Sequence, residues 1–232
     1  MSFSNGEIVI MSDLQGFMTP KQVRRVINNA GSTRNKLFIK VLAYAGRRIS
    51  EVVGLRIKDD EGKTHILGGL KPKYIDVDNN LILWTTLKKK QRSDNYKISM
   101  SWKPCQTSLI NQLINYSKAV GITEEDLIFP FTRQWGYKIV NKAGRAAGIN
   151  KVGEKPIHPH HFRHSFIINS LKAGVPIHEV QRLVDHSSLK ITEFYIKLSP
   201  DDLRQGVNKL ALIYDDALKR DVSTEKVGGN GS

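Results

Sequence analysis

The hydrophobic period changes twice along this chain, and that change limits the fold more than any other feature. Thr19-Pro20 opens a helix in which Val23, Val26 and Ile27 recur at helical spacing. A second helix is predicted over 33–44, with Leu37, Phe38, Val41, Leu42 and Ala45 on its apolar face and Gly46 ending it. Ser50 caps a short helix running to Leu55. After Lys58 the helical period stops. "DDEGKTHILGGLKP" (59–72) reads as a loop from its Gly and Pro content. Short strands are predicted at 74–77 and 81–87, joined by a turn at Asp78-Asn79-Asn80, with a third near 96–100. From 105 the helical period returns, with helices predicted at 105–120, 134–147, 160–173, 177–184, 188–197 and 200–218. No internal repeat and no Gly/Ser linker divides the chain. The expectation is a mainly α fold of α+β class with a small three-stranded antiparallel sheet. Residues 19–215 would form one domain, between a loosely ordered leading segment (1–18) and a polar, disordered tail (216–232) ending in "GGNGS".

Charge narrows the partner. Thirty-six Lys+Arg face twenty-two Asp+Glu, leaving +14 in 232 residues. Such a surface points to a polyanion, nucleic acid before membrane. No apolar run approaches the ~20 residues that a membrane-spanning helix needs. Residues 1–18 lack the basic start and apolar stretch of a secretory leader. Cys105 is the single cysteine, so neither an intrachain disulfide nor a CxxC metal site can form. A cytoplasmic, reducing location is expected.

"HPHHFRHSF" (158–166) gathers four of the seven histidines around one arginine. Pro159 suits the first turn of a helix, which puts His160 and Arg163 three residues apart on one face. An imidazole and a guanidinium at a helix N-terminus favour an anion, and the Arg fork matches two oxygens of a phosphodiester. A surface Arg beside a packing His would leave the same spacing. Zinc on His160 and His164 is the rival, at i and i+4. His161 stands where an HExxH motif needs Glu, however, and Arg163 would add charge against a cation. By their place in the motif, His164 is expected to be a buried structural residue and His158 and His161 to lie in the loop or at the surface.

Three further stretches fall into order with this one. "GRRISEVVGL" (46–55) places two arginines at a helix break. "LILWTTLKKK" (81–90) ends a strand in lysines, with the basic turn "KKKQRSDN" (88–95) following. "DHSSLKITEFY" (185–195) sets His186 nine residues before Tyr195. Together these motifs resemble the tyrosine recombinases, also called the phage-integrase family, over about residues 19–200. The resemblance implies the catalytic-domain fold of that family and a site-specific recombinase or integrase. Such an enzyme cleaves and rejoins double-stranded DNA through a 3′-phosphotyrosyl link and needs no cofactor or metal. It implies Tyr195 as nucleophile, and Arg48 and Arg163 as neutralisers of the transition-state phosphate. His160 would assist proton transfer and His186 would bond a phosphate oxygen. Lys88 would protonate the leaving 5′-oxygen, with Lys90 the other candidate. Glu51 would support Arg48, and Arg47, Lys89, Lys90 and Arg92 would grip DNA. Self-association on DNA, as a dimer or tetramer, is also implied.

The sequence departs from the family pattern in four places. Asp185 replaces a customary Gly before His186, Arg47 doubles the first arginine, and "EGKTHILGG" reads as an insertion. About 18 residues precede the pattern, where members of the family usually carry a helical domain that helps to clamp DNA. A type IB topoisomerase-like nicking and closing enzyme would use the same chemistry. A DNA-binding relative without chemistry would not need all six positions. An RNA-binding module would need stacking aromatics that no motif here provides.

Overall fold

The computed structural model describes residues 16–89 and 96–185. Helices dominate these segments. α1 (Pro20–Asn28) begins with a reciprocal cap: the Thr19 hydroxyl accepts from the Gln22 N–H, and the Gln22 side chain accepts from the Thr19 N–H at 2.9 Å. Ser32 caps α2 (Thr33–Tyr44) through its hydroxyl, which accepts from the Asn35 N–H. α3 (Ile49–Val53) follows after a sharp turn. α4 (Thr107–Ala119), α5 (Arg133–Ala146), α6 (Pro159–Lys172) and α7 (Ile177–Val184) follow the sheet, each within two residues of its predicted bounds. The helices predicted at 188–197 and 200–218 lie outside the described residues, as does the tail 216–232.

α2 is the central post. Leu37, Phe38, Ile39, Val41 and Leu42 are all buried, and the helix packs against α1, α4 and α6. The Phe38 ring meets Phe131 and Phe129 edge-on, with centroids 5.0 and 5.7 Å apart, a favoured arrangement of ring quadrupoles.

The three-stranded antiparallel sheet is present, in the order β3 (Ile75–Asp76), β4 (Leu81–Lys89), β5 (Tyr96–Pro104), with Trp84 opposite Ser101 and Lys88 opposite Lys97. Ile82, Trp84 and Thr86 alternate along β4 and are buried, which packs that face onto the helices. Cys105 follows β5, and its N–H donates to the Asn80 carbonyl at 2.9 Å.

Two short hairpins were not expected. Residues 59–72, read as a loop, contain β2 (Thr64–Leu67), which pairs with β1 (Leu55–Lys58) in the register Leu55 to Leu67. The Asp59 carboxylate closes the turn by accepting the N–H groups of Lys63 (2.8 Å) and Glu61 (3.1 Å). The hairpin is mostly exposed, so it carries no apolar alternation to announce a strand. β6 (Lys151–Val152) and β7 (Lys155–Pro156) make a second, two-residue ladder before α6. Met18, assigned from sequence to the leading segment, is 1% exposed. Its N–H donates to the Ser165 hydroxyl at 2.7 Å and its carbonyl accepts from Asn169, which ties it to α6. No helix of the described residues is long and apolar enough to cross a membrane.

Candidate active site

The site begins where α2 ends. Gly46 takes φ +60°, and a Cβ there would lie 2.5 Å from the Phe166 ring, so this reversal requires glycine. The two arginines that follow diverge. Arg48 is extended (φ −71°, ψ 146°) and precedes α3 as its cap residue. Its backbone N–H donates to Glu51 Oε2 at 3.1 Å, and its Nη1 donates to Glu51 Oε1 at 3.0 Å. Glu51 is 1% exposed and Arg48 30%, so a buried carboxylate holds a guanidinium that still reaches solvent. Arg47 turns inward and is 1% exposed. It lies 5.0 Å from the Trp84 ring, donates from Nη1 to Asp185 Oδ2 at 2.9 Å, and donates from Nη2 to the Leu183 carbonyl. Arg47, expected to grip DNA, is thus packed against the Trp84 ring and tied to Asp185.

α6 carries the second group. Pro159 occupies its first turn, and the His158 N–H donates to His161 Nδ1 at 3.1 Å. His161 is 6% exposed, so it is an internal cap rather than the loop or surface residue expected. The His158 and His161 rings lie 3.8 Å apart, and Tyr137 stacks on the other side of His158 at 6.2 Å. His160 is exposed on the first turn. Partial burial lowers its pKa, and the charges of His158, Arg163, Arg48 and His164 lower it further. His164 is half-buried.

Arg163 is 4% exposed. Its Nη1 donates to the Gly46 carbonyl at 2.9 Å and its Nη2 to the Val184 carbonyl. Burial lowers its pKa to about 10, with the Arg48 charge next in weight. It stays cationic at neutral pH. A guanidinium has five N–H donors, so these two bonds fix its plane and leave others for a ligand.

α7 supplies the third side. Asp185 sits at its C-terminus in the left-handed region (φ 51°, ψ 46°) and accepts from Lys103 Nζ at 2.7 Å as well as from Arg47. Burial works to raise its pKa, but the hydrogen bonds from Lys103 and Arg47 prevail and lower it. Sequence reasoning missed Lys103. Its signal was weak, one lysine near the end of a strand whose preceding residues Ile98, Met100 and Trp102 are exposed.

Among the described residues, no three His, Cys, Asp or Glu side chains gather as a metal site would require. Lys88 and Lys89 end β4, opposite Lys97 and Tyr96. Lys90, Arg92, His186 and Tyr195 lie outside the described residues. The structure thus brings together Arg48, His160 and Arg163 from two distant parts of the chain.

Known proteins fit this arrangement. The tyrosine recombinase XerA of Pyrococcus horikoshii is 27% identical over 209 residues, covering 88% of this chain and 64% of the relative. XerA of Saccharolobus solfataricus is 28% identical over 183 residues, covering 79% and 52%. The chain therefore spans between half and two-thirds of these relatives' length. A crystal structure of XerA recombinase shares the fold, with TM-score 0.54 at 21% identity over 83% of this chain and 64% of that one. So does XerH bound to its difH substrate, with TM-score 0.54 at 21% identity over 82% and 53%. The model of the phage integrase family matches residues 16–201, and with most of its length inside that match, the chain belongs to this family.

Proposed function

We propose that this chain is the catalytic portion of a site-specific DNA recombinase or integrase acting on intracellular double-stranded DNA. One observation carries the reading: the Arg48 and Arg163 charges both reach His160 and lower its pKa, and the Arg48 charge also lowers that of Arg163. Cations crowded in this way repel until an anion arrives, and perturbed groups of this kind mark functional sites. A phosphodiester in its phosphorane-like transition state is the anion that suits two guanidiniums and an imidazole, and charge stabilisation is often the largest catalytic term.

In this reading the Tyr195 hydroxyl attacks phosphorus, a 3′-phosphotyrosyl bond forms, and the 5′-oxygen leaves with a proton from Lys88. His160 assists removal of the tyrosine proton, and His186 bonds a phosphate oxygen. The +14 charge serves the grip on DNA, with Lys89, Lys90 and Arg92 at the strand end and turn, and two or four copies assemble on the duplex. The relatives' shared name of tyrosine recombinase, and XerH's binding of a difH substrate, support the same reading.

Incubation with a nicked suicide duplex, followed by a denaturing gel, tests it. A covalent protein–DNA band is expected, insensitive to EDTA and lost in Tyr195→Phe with DNA affinity unchanged. A band that persists in Tyr195→Phe overturns the nucleophile, and strand exchange between two sites separates recombination from nicking and closing.

A further inference from the structure

The last carbonyls of any α-helix lack intrahelical partners and form the negative end of its dipole. At the end of α7, three consecutive carbonyls each receive a cation from a different element. Lys103 on β5 donates to Arg182 at 2.6 Å, Arg47 in the α2–α3 turn donates to Leu183, and Arg163 on α6 donates to Val184. Asp185 follows at once in the left-handed region, and its carboxylate takes Arg47 Nη1 at 2.9 Å and Lys103 Nζ at 2.7 Å. The two residues that stood out as departures from the family pattern, Arg47 and Asp185, are thus bonded partners. Arg47 is 1% exposed and Asp185 21%.

We infer that Arg47, Asp185 and Lys103 form a latch on the C-terminus of α7 that positions both Arg163 and the chain entering His186. This rests on the functional reading above, in which Arg163 and His186 meet the phosphate. Arg163 is aimed by the carbonyls of Gly46 and Val184. Each lies one residue from a latch member, because Gly46 precedes Arg47 and Val184 precedes Asp185. The Arg47–Asp185 bond therefore spans the two backbone segments that orient the guanidinium. Three cations at one helix end repel one another, and the Asp185 carboxylate is the counter-charge that lets two of them stay. Glycine would take the left-handed turn more easily but would leave Arg47 buried without this partner. The three are positioning residues and do not touch DNA.

The test compares Arg47→Met, Asp185→Asn and the double variant. Asparagine tolerates the left-handed region and keeps an acceptor, so it guards against simple misfolding. Single-turnover adduct formation at saturating DNA should slow about tenfold or more in each single variant, because small misplacements near reacting atoms are costly in rate. DNA affinity should stay within about twofold. The double variant should be no slower than the worse single, since the pair acts as one unit. Unchanged rates in Asp185→Asn, or single losses that multiply in the double, would overturn the latch. If the wild-type chain forms no adduct, the functional reading fails and amide exchange decides the latch alone. Faster exchange at residues 183–185 in both singles, equal in the double, sustains it, and unchanged exchange rejects it.

Discussion

Two helix ends meet in this molecule, and they treat positive charge in opposite ways. At the start of α6, the Arg48 and Arg163 charges converge on His160 and lower its pKa. At the end of α7, Lys103, Arg47 and Arg163 are absorbed by carbonyls and by Asp185. Arg163 belongs to both, and the consecutive Arg47 and Arg48 fall on opposite sides of the divide. Residue type does not separate a catalytic arginine from a structural one here. Burial and partners together do so in this reading: Arg48 keeps 30% exposure beside Glu51 and Arg163 bonds only to carbonyls, whereas Arg47 is 1% exposed, packed on the Trp84 ring and bonded to Asp185.

The largest effect that would sharpen this contrast is on rate. Arg48→Ala and Arg163→Ala should each slow adduct formation by roughly 10²–10³. Arg163→Lys should rescue poorly, because an ammonium cannot hold two carbonyls and a phosphate in one plane. A lysine variant of normal activity would break the assignment.

Next comes stability, where the order of the two neighbours reverses. Arg47→Ala takes a fully buried side chain from the Trp84 ring and one of the two cations from Asp185, which keeps Lys103, and should cost about 3–5 kcal/mol. Arg48→Ala removes a partly exposed side chain and leaves the buried Glu51 carboxylate with Arg47 at 3.8 Å, which should cost about 1–3 kcal/mol. Denaturant midpoints of the two variants measure this, and equal midpoints would erase the distinction between them.

The smallest effect concerns pH. Burial, followed by the charges of His158 and His164, lowers the His161 pKa to about 4. A histidine depressed on folding is protonated first in the unfolded chain, so stability should fall as pH drops from the ordinary 6.5 towards 4. Protonation also removes the acceptor for the His158 N–H. His158, His160 and His164 are depressed as well, so His161→Gln should reduce this slope without abolishing it, at a cost of about 1 kcal/mol in melts at neutral pH. An unchanged slope would show that His161 does not carry it. Below about pH 4, a decline that His161→Gln leaves in place belongs to carboxylates such as Asp185. The pKa of Asp185 is lowered by Lys103 and Arg47 against burial, so its contribution is held above its unfolded pKa and lost as pH falls through the folded value.

The contrast also explains what could be read in advance. The helices were legible because Val23, Val26 and Ile27, or Leu37, Phe38, Val41 and Leu42, repeat at the spacing that burial on one face imposes. The β1–β2 hairpin was not, because exposed strands leave no alternation and its turn depends on a single Asp59 carboxylate. The pairing of His160 with Arg163 followed from helix geometry. The burial of Arg47 could not, since either of two adjacent arginines can turn inward and the decision is made by Asp185, 138 positions away. One signal was present. Asp185 and Arg47 both departed from the family pattern and carry opposite charges, which is what a bonded pair leaves in a sequence.

Cys105, placed just after β5 and against the core, has a practical consequence. Burial pushes its thiol up to about 11. Only the thiolate reacts readily with alkylating agents and oxidants, so roughly one molecule in ten thousand would present it at pH 7. The natural thiol is therefore nearly silent towards maleimides. A second cysteine placed on an exposed position, the Glu61 turn for instance, would take a fluorophore or spin label selectively, and movement on DNA could be followed without first removing the native residue.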